Sequence, residues 1–256
     1  MSNKALPPGH CKVVMRRAQP LLSGDRQVDL RLLSPAEITR AKAFRSDAAY
    51  QEFVAAHILV RQVAADVRNA PVDQIAIVQR CEVCGGPHGR PFVEKDPSLH
   101  VSMSHGSGWV AAIAGPLRNA VDIERWDSFL EPSMINDKIF CAQELDVLAA
   151  MDGERGESRE PVKARAIAAA QMWARKESAI KLGVLTLDAM ASFNSLQPLG
   201  DAASTAPSAD ALPLVFFDWV CDAEGFVGAV ALTGPVQIEF DCGVARFGFS
   251  AGVGRI

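Results

Sequence analysis

The segment Ala120-Val-Asp-Ile-Glu124 alternates aliphatic and acidic residues. Successive side chains of a β-strand point to opposite faces, so this alternation predicts a strand with Asp122 and Glu124 on one face. Val121 and Ile123 would then face a hydrophobic core. The strand would therefore present two neighbouring carboxylates on one face, while the aliphatic residues on its other face pack into the core.

A second segment, Trp173-Ala-Arg-Lys-Glu-Ser-Ala-Ile-Lys181, lies in an alanine-rich stretch that is followed by Gly183. Alanine favours a helix, and a glycine just beyond the last helical residue is a typical C-terminal stop. Trp173, Glu177 and Lys181 recur at i, i+4 and i+8, so we expect them to share one helical face.

Three carboxylates and a lysine can hold a hard cation against a phosphate, because Mg²⁺ takes oxygen ligands and binds substrate phosphates through one or two carboxylates. Each motif alone also has an ordinary interpretation. An Asp-x-Glu pair is typical of a solvated strand edge, and a Lys-Glu-x-x-x-Lys run is typical of an exposed helix face with an i,i+4 ion pair. The two motifs together favour a metal and phosphate site.

A third element precedes both: Gly89-Arg-Pro91, followed by Leu99-His-Val-Ser-Met-Ser-His-Gly106. The order Gly-Arg-Pro, Ser-Met-Ser-His, Val-Asp-Ile-Glu and Trp-x-x-Lys-Glu-Ser-x-x-Lys resembles the Sfp-type 4′-phosphopantetheinyl transferase family. The resemblance extends from about Leu33 to Phe193, and several separated motifs make it more specific than any one of them.

The resemblance implies an α/β (α+β) fold made of a pseudo-twofold pair of similar subdomains, with the active site in the cleft between them. We place the N-terminal transferase subdomain at residues 1–117 and the C-terminal subdomain, with the metal-binding acids, at residues 118–256. The implied reaction moves the 4′-phosphopantetheine arm of coenzyme A to a serine of an apo acyl, polyketide or peptidyl carrier protein. It requires Mg²⁺, releases adenosine 3′,5′-bisphosphate and is associated with secondary metabolite biosynthesis.

The resemblance also assigns roles to individual residues. Asp122, Glu124 and Glu177 match the metal-binding acids, Glu177 is the candidate base, directly or through a metal-linked water, and Lys181 would stabilise the charge of the transition state. Lys176 would contact phosphate or carrier, although a plain surface lysine is an equally good interpretation. The residues expected to contact coenzyme A are Arg40, Arg90, Ser104, His105, Lys176 and Lys181.

The sequence departs from the family pattern at two positions near the site. Ala120 stands where glycine is usual, and its methyl group would either be tolerated or crowd the nucleotide. Gly106 follows His105 where serine is common, which would remove one phosphate hydrogen bond.

Composition gives no support to several other classes. The 256-residue chain carries 30 acidic residues against 26 Lys and Arg, a net charge of −4, so nothing global indicates nucleic acid or an anionic membrane as partner. No apolar run approaches the ~20 residues of a membrane span. Met1 to Cys11 contains Pro7-Pro8-Gly9 and lacks the apolar region of a secretory signal. We expect a cytoplasmic protein, monomeric because its size and tandem layout match the monomeric branch of the family.

Six cysteines are scattered along the chain, which is not a disulfide framework at this length. Cys81-Glu-Val-Cys84, with His88 shortly after, resembles half of a zinc site. A structural zinc site needs four ligands, and no second pair follows at suitable spacing. His100, His105 or Cys141 would have to complete the site in space. Reduced thiols in a turn-rich loop are the favoured interpretation, and zinc stays open.

Two alternative functions stay open. A metal-dependent nuclease would use the same acids, but it should carry a basic face for the nucleic acid backbone, which the net charge does not support. A catalytically inactive coenzyme A-binding scaffold would be expected to lose one of the acids or the lysine, and all of them are present.

The remaining patterns predict the elements around these motifs. Ser34-Pro-Ala-Glu37 predicts a helix start with a capping box. The other predicted helices cover 47–67, 133–150 and 164–182, and the other predicted strands cover 75–78, 101–103, 109–114, 119–124, 216–221, 225–232 and 236–240.

Overall fold

The computed structural model describes residues 9–81, 84–152, 160–196 and 214–243. Its strands and helices are, in chain order, β1 (His10–Arg17), α1 (Arg26–Leu30), α2 (Pro35–Lys42), α3 (Asp47–Arg68), β2 (Ile77–Gln79), β3 (Pro91–Val93), β4 (His100–Gly106), β5 (Trp109–Gly115), β6 (Asn119–Arg125), α4 (Ala142–Asp152), α5 (Glu160–Leu182), β7 (Val215–Cys221), β8 (Phe226–Leu232) and β9 (Gln237–Asp241). This mixture of helices and sheets confirms the predicted α/β class. Across the ranges above, every helix is too short or too polar to cross a membrane.

The chain divides into two compact units. The first contains the residues up to Val121 together with Pro235–Gly243, and the second contains Asp122–Gly234. The predicted limits, 1–117 and 118–256, would put β9 in the second subdomain, whereas β9 pairs with β1 and so belongs to the first sheet. The pseudo-twofold relation between the two halves stays a prediction.

The first unit is built on a six-stranded sheet of order β2-β3-β4-β5-β1-β9. Strand β1 pairs antiparallel with β5 and parallel with β9. Helix α3 packs against β4 and β5, and buried aliphatic residues, among them Leu59, Val63, Val101 and Val110, form the core between helix and sheet. The helix is well delimited, because Ser46 caps its first turn and Asn69 ends it with a left-handed backbone.

The second unit is built on a three-stranded sheet of order β6-β8-β7, against which α5 packs. Small residues allow close approach here. A Cβ on Gly228 of β8 would lie 2.0 Å from the ring of Trp219 on β7, so only glycine fits opposite this buried indole. The alanine-rich face of α5 lies against β8, with Phe129 and Phe140 closing the same core.

Most of the predicted elements are confirmed. The capping box is present, since Ser34 accepts from the Glu37 amide while the Glu37 carboxylate accepts from the Ser34 amide. Helix α3 and the strands around Gly106-Ser-Gly108 occur within a few residues of their predicted bounds.

The helix predicted at residues 133–150 is wrong in its first half. Helix α4 begins only at Ala142. The side chain of Asn136 accepts from the Lys138 amide and donates to the Ser133 carbonyl, and such local side-chain bonds compete with a helix. The buried Glu144 accepts from the Cys141 amide and thereby sets the true start of the helix.

Three further differences concern bounds and missed strands. Helix α5 begins at Glu160, earlier than predicted. Strands β1 and β3 were not predicted. Strand β1 has buried residues at successive positions, including Val13, Val14 and Met15, because β5 and β9 flank it and α3 covers it, so the simple alternation of a half-exposed strand is absent.

Candidate active site

Strand β6 carries the two acids as its alternation predicts. Val121 and Ile123 are buried with exposed fractions of 0% and 4%, and they anchor the strand in the interior. Asp122 is itself 6% exposed, whereas Glu124, closer to the strand end, is half-buried. The acidic face of β6 is therefore shielded from bulk water near Asp122 and opens toward Glu124.

Helix α5 supplies the third acid and the lysine. Its buried residues include Ala166, Ala170 and Ala174, which hold the helix against the sheet of the second unit. Glu177 is half-buried. Trp173, on the same face, packs against the ring of Phe129 at a centroid distance of 6.2 Å. This aromatic contact fixes the face of α5 that carries Glu177.

The ammonium of Lys181 meets the carboxylate of Asp122. Lys181 Nζ donates to Asp122 Oδ1 at 2.6 Å, and the two side chains are 32% and 8% exposed. The contact joins α5 to β6 and shows that the two motifs, separated by a long stretch of chain, converge within the second unit.

The pKa values of the other two acids, Glu124 and Glu177, are both raised. Burial raises the pKa of Glu124, and the negative charges of Asp122 and Glu177 raise it further. The hydrogen bond from the Arg125 amide and the positive charge of Lys181 act in the opposite direction and lower it. Burial also raises the pKa of Glu177, to which Asp122 adds while Lys181 opposes it. One lysine thus leaves the acidic group short of positive charge.

This donor set fits a hard divalent cation in its chemistry, because oxygen ligands that repel one another and are partly desolvated gain from such an ion. To bind one ion, the oxygens of the three carboxylates must also lie close to one another. Among the described residues, the group of three His, Cys, Asp or Glu ligand atoms that lie within 4.8 Å of one another is Cys81, Cys84 and His88, not the three acids.

Lys176 requires a correction. Its side chain is 0% exposed, and Nζ donates to the carbonyls of Ile139, Met190 and Phe193, each at 2.8 Å. The same ammonium pairs with the buried Glu144 at 2.7 Å. An ammonium held inside the protein by four oxygens has no surface to offer a ligand, so the predicted phosphate or carrier contact of Lys176 is not carried further.

In the first unit, Ser104 and His105 lie at the end of β4, as their motif predicts. Ser104 is buried, while His105 is 37% exposed in its side chain and lies 3.7 Å from Glu52 of α3. Glu52 also accepts from the amide of Gly108 in the turn that follows. The carboxylate of Glu52, which the sequence did not point to, thus lies beside the imidazole.

The predicted arginines lie in different settings. Arg40 on α2 stacks over Phe53 at 5.3 Å and is exposed. Arg90 precedes β3 and is half-buried. Burial lowers the pKa of His100, and the positive charges of Arg90 and Arg118 lower it further. Arg118 is thus a second cation in this region, and no motif indicated it.

The two departures from the family pattern are accommodated. Ala120 is fully buried, so its methyl group is enclosed by protein. A Cβ on Gly106 would meet nothing within 4 Å, so the missing serine there has a chemical consequence without a steric one.

Comparison with known proteins decides the family. The model of the 4′-phosphopantetheinyl transferase superfamily matches residues 120–229. This part of the chain therefore carries the sequence signature of that superfamily. The 4′-phosphopantetheinyl transferase psf-1 of Bacillus pumilus is 25% identical to it over 177 residues, which cover 67% of this chain and 68% of the relative.

The superfamily match begins at the acidic strand and includes all of the acids and the lysine of the second unit, namely Asp122, Glu124, Glu177 and Lys181. The family prediction made from the motifs is confirmed, and with it the enzyme class of 4′-phosphopantetheinyl transferase. The first-unit residues Arg40, Arg90, Ser104 and His105 lie outside the matched range.

Proposed function

We propose that this transferase moves 4′-phosphopantetheine from coenzyme A to a serine of an apo carrier protein of the acyl, polyketide or peptidyl kind. The observation that carries the proposal is the convergence of Asp122 and Lys181, 2.6 Å apart, beside Glu124 and Glu177 within the range that the superfamily model matches.

The serine oxygen of the carrier forms a bond to the pantetheine-side phosphorus of the pyrophosphate, and the bond from that phosphorus to the bridging oxygen breaks. The serine proton goes to a base, and adenosine 3′,5′-bisphosphate leaves. Charge on the pyrophosphate must be neutralised throughout, so positioning and electrostatic stabilisation account for most of the catalysis.

Residues of the second unit would perform the chemistry. Asp122, Glu124 and Glu177 would hold Mg²⁺, which supplies positive charge to the pyrophosphate when bound. Lys181, held on α5 next to Asp122, would stabilise charge that grows on the leaving phosphate. Glu177, half-buried and fixed by the packing of Trp173, would accept the serine proton.

Residues of the first unit would bind the nucleotide. Arg90 would bind a phosphate group through charge-assisted hydrogen bonds, and His105, which lies 3.7 Å from Glu52, would donate to a second one. Ser104 and Arg40 complete the proposed coenzyme A contacts. We expect the enzyme to act as a monomer in the cytoplasm.

Intact-mass spectrometry of purified apo carriers tests the transfer. One acyl, one polyketide and one peptidyl carrier are incubated with the enzyme, coenzyme A and Mg²⁺, and we expect the mass of one phosphopantetheine arm to appear on a carrier. Asp122→Asn should abolish this gain, whereas Asp146→Asn, an exposed acid on α4, should not. Unmodified carriers despite tight coenzyme A binding would favour the inactive scaffold instead. Failure to bind coenzyme A would overturn the proposal.

A further inference from the structure

The loop between β2 and β3 contains a group of three metal-ligand side chains that the transferase chemistry does not use. The ligand atoms of Cys81, Cys84 and His88 all lie within 4.8 Å of one another. Cys84 Sγ is 3.0 Å from His88 Nε2. Tetrahedral zinc with bonds of ~2.3 Å to sulfur and ~2.0 Å to nitrogen separates its ligand atoms by about 3.5–3.8 Å, so small rotamer changes suffice.

Backbone hydrogen bonds hold the described part of the loop around these atoms. The Cys81 amide donates to the Gly86 carbonyl at 2.9 Å, and the Gly85 amide donates to the Cys81 carbonyl at 2.8 Å. Gly85 has a φ of +68°, which glycine adopts without strain. The Gly86 amide donates to Cys84 Sγ at 3.4 Å, so the backbone also holds this sulfur in position.

Gly86 also leaves the space that the ligand pair needs. A Cβ at this position would lie 3.2 Å from Cys84 Sγ and 3.3 Å from His88 Nε2. Since zinc–ligand distances tolerate only about ±0.2 Å, a methyl group pressed against both atoms would disturb a metal bound there. Cys84 and His88 are exposed and Cys81 is half-buried, so an ion has access from solvent.

We infer that this loop binds a single Zn²⁺ through the sulfurs of Cys81 and Cys84 and through His88 Nε2, with water as the fourth ligand. Each thiol loses its proton to solvent as its sulfur joins the metal, and His88 binds as the neutral imidazole with its proton on Nδ1. The oxidation state of metal and protein is unchanged, so no oxidant is required.

The loop leads directly into the residue proposed to hold a phosphate. Arg90 follows Gly89, whose carbonyl accepts from the Gln79 side chain at 2.8 Å, and Gln79 in turn meets His57 of α3 at 3.4 Å. Zinc would fix the loop at its other end. This consequence rests on the proposed function: loss of the metal should raise the KM for coenzyme A and change kcat little.

Metal analysis of the full chain tests the site directly. The protein is purified under reducing conditions, loaded with Zn²⁺, freed of excess metal and analysed by elemental mass spectrometry. We expect one zinc per chain. Loading with Co²⁺ should give the sulfur-to-metal charge-transfer absorption of a thiolate site and the visible bands of a tetrahedral ion, neither of which depends on transferase activity.

Matched variants separate this loop from adventitious binding. Cys84→Ser and His88→Gln should each lose stoichiometric zinc, and Gly86→Ala should weaken the affinity about 10- to 100-fold, the effect typical of disturbed ligand orientation. His10→Gln and Gly106→Ala should bind zinc like the wild type, since a Cβ on Gly106 meets nothing within 4 Å. Circular dichroism checks that each variant is folded.

Three outcomes would overturn the inference: no zinc in the wild type, equal zinc in the ligand variants, or a mass about 2 Da lower without reductant that shows a Cys81–Cys84 disulfide in place of metal binding. A bound zinc with no effect of His88→Gln on KM would retain the metal site and reject only its link to coenzyme A.

Discussion

Lys176 and Lys181 lie on the same helix and have opposite surroundings. Around Lys176, the carboxylate of Glu144 and three backbone carbonyls surround the ammonium, and both side chains of the ion pair are 0% exposed. Around Lys181, the side chain is 32% exposed, and the acids beside it still have raised pKa values. The ammonium of Lys176 is neutralised and hydrogen-bonded by protein groups, whereas the acids around Lys181 carry an excess of negative charge that a bound cation would neutralise.

The difference teaches how to separate a structural charge from a functional one. A buried ion pair whose polar atoms all have partners stabilises one arrangement of the chain. A cluster of like charges that is only partly neutralised costs stability and is typical of a binding or catalytic site. The motif Trp-x-x-Lys-Glu-Ser-x-x-Lys contains both lysines, so the motif alone did not distinguish them.

The largest expected effect is a loss of stability when Lys176 is replaced. Lys176→Met leaves the buried Glu144 and three carbonyls without their donor, and loss of one partner of a buried pair costs about 3–5 kcal/mol. Urea denaturation should show this fall in the free energy of unfolding. The exposed lysine variant Lys138→Met serves as control and should change it by less than about 0.5 kcal/mol. Equal stability of the two variants would mean that Lys176 is not a structural residue.

The second largest expected effect is a slower transfer reaction when Lys181 is replaced. Lys181→Met removes a partly exposed charge, so we expect a smaller loss of stability than for Lys176→Met. Transfer to the carrier should slow about 10²- to 10³-fold, which is the usual cost of losing one group that stabilises transition-state charge. Single-turnover rates with excess carrier measure this directly. Normal rates in Lys181→Met would remove the residue from the catalytic machinery.

A third test concerns a buried charged group in the first unit. His57 of α3 is buried there beside Arg61 of the same helix and Glu37 of α2. Burial lowers the pKa of His57; Glu37, the Phe53 carbonyl and Gln79 oppose this, and Arg61 adds to it. Because the unfolded chain binds this proton more readily, the stability from neutral His57 is complete above an ordinary histidine pKa of about 6.5. It is lost as the pH falls through the lower folded pKa.

Urea unfolding at several pH values measures this dependence. The free energy of unfolding should decrease below about pH 6.5 by at most about 1.4 kcal/mol per pH unit for one proton. His57→Gln removes the titration and should flatten that part of the curve. An identical slope in the variant would assign the pH dependence to other groups.

The smallest effect concerns an exposed pair that joins β9 to β1. Arg16 donates to the Asp241 side chain and to its carbonyl, with the two side chains 29% and 49% exposed. The hydrogen bond from Arg16 lowers the pKa of Asp241, so its contribution is present above the ordinary aspartate pKa and is lost as the pH falls through the lowered value.

Asp241→Asn should cost about 0.2–1 kcal/mol at neutral pH, with less effect in high salt. A double-mutant cycle with Arg16→Met isolates the pair. A coupling energy above about 2 kcal/mol would show that this exposed pair behaves like the buried one around Lys176.

The sequence predicted the elements whose causes are local. The capping box of α2, the ends of α3 and the acidic alternation of β6 each follow from a few neighbouring residues, and each is confirmed. The start of α4 was missed because the side-chain bonds of Asn136 outweigh the apolar periodicity there. Strand β1 was missed because its burial depends on partners from distant parts of the chain.

By itself, the sequence predicted the family through its motifs, the α/β class through the resemblance to that family, and the set of acids with Lys181, because the motifs depend on residue identity and short-range spacing. Only the tertiary structure decided that Lys176 is enclosed, since its partners come from segments that the helix meets on folding. Tertiary structure also decided that β9 joins the first sheet and that Arg118 lies near His100 and Arg90. Contacts between residues far apart in sequence leave no periodic signal in the chain, so these arrangements exist only in the folded protein.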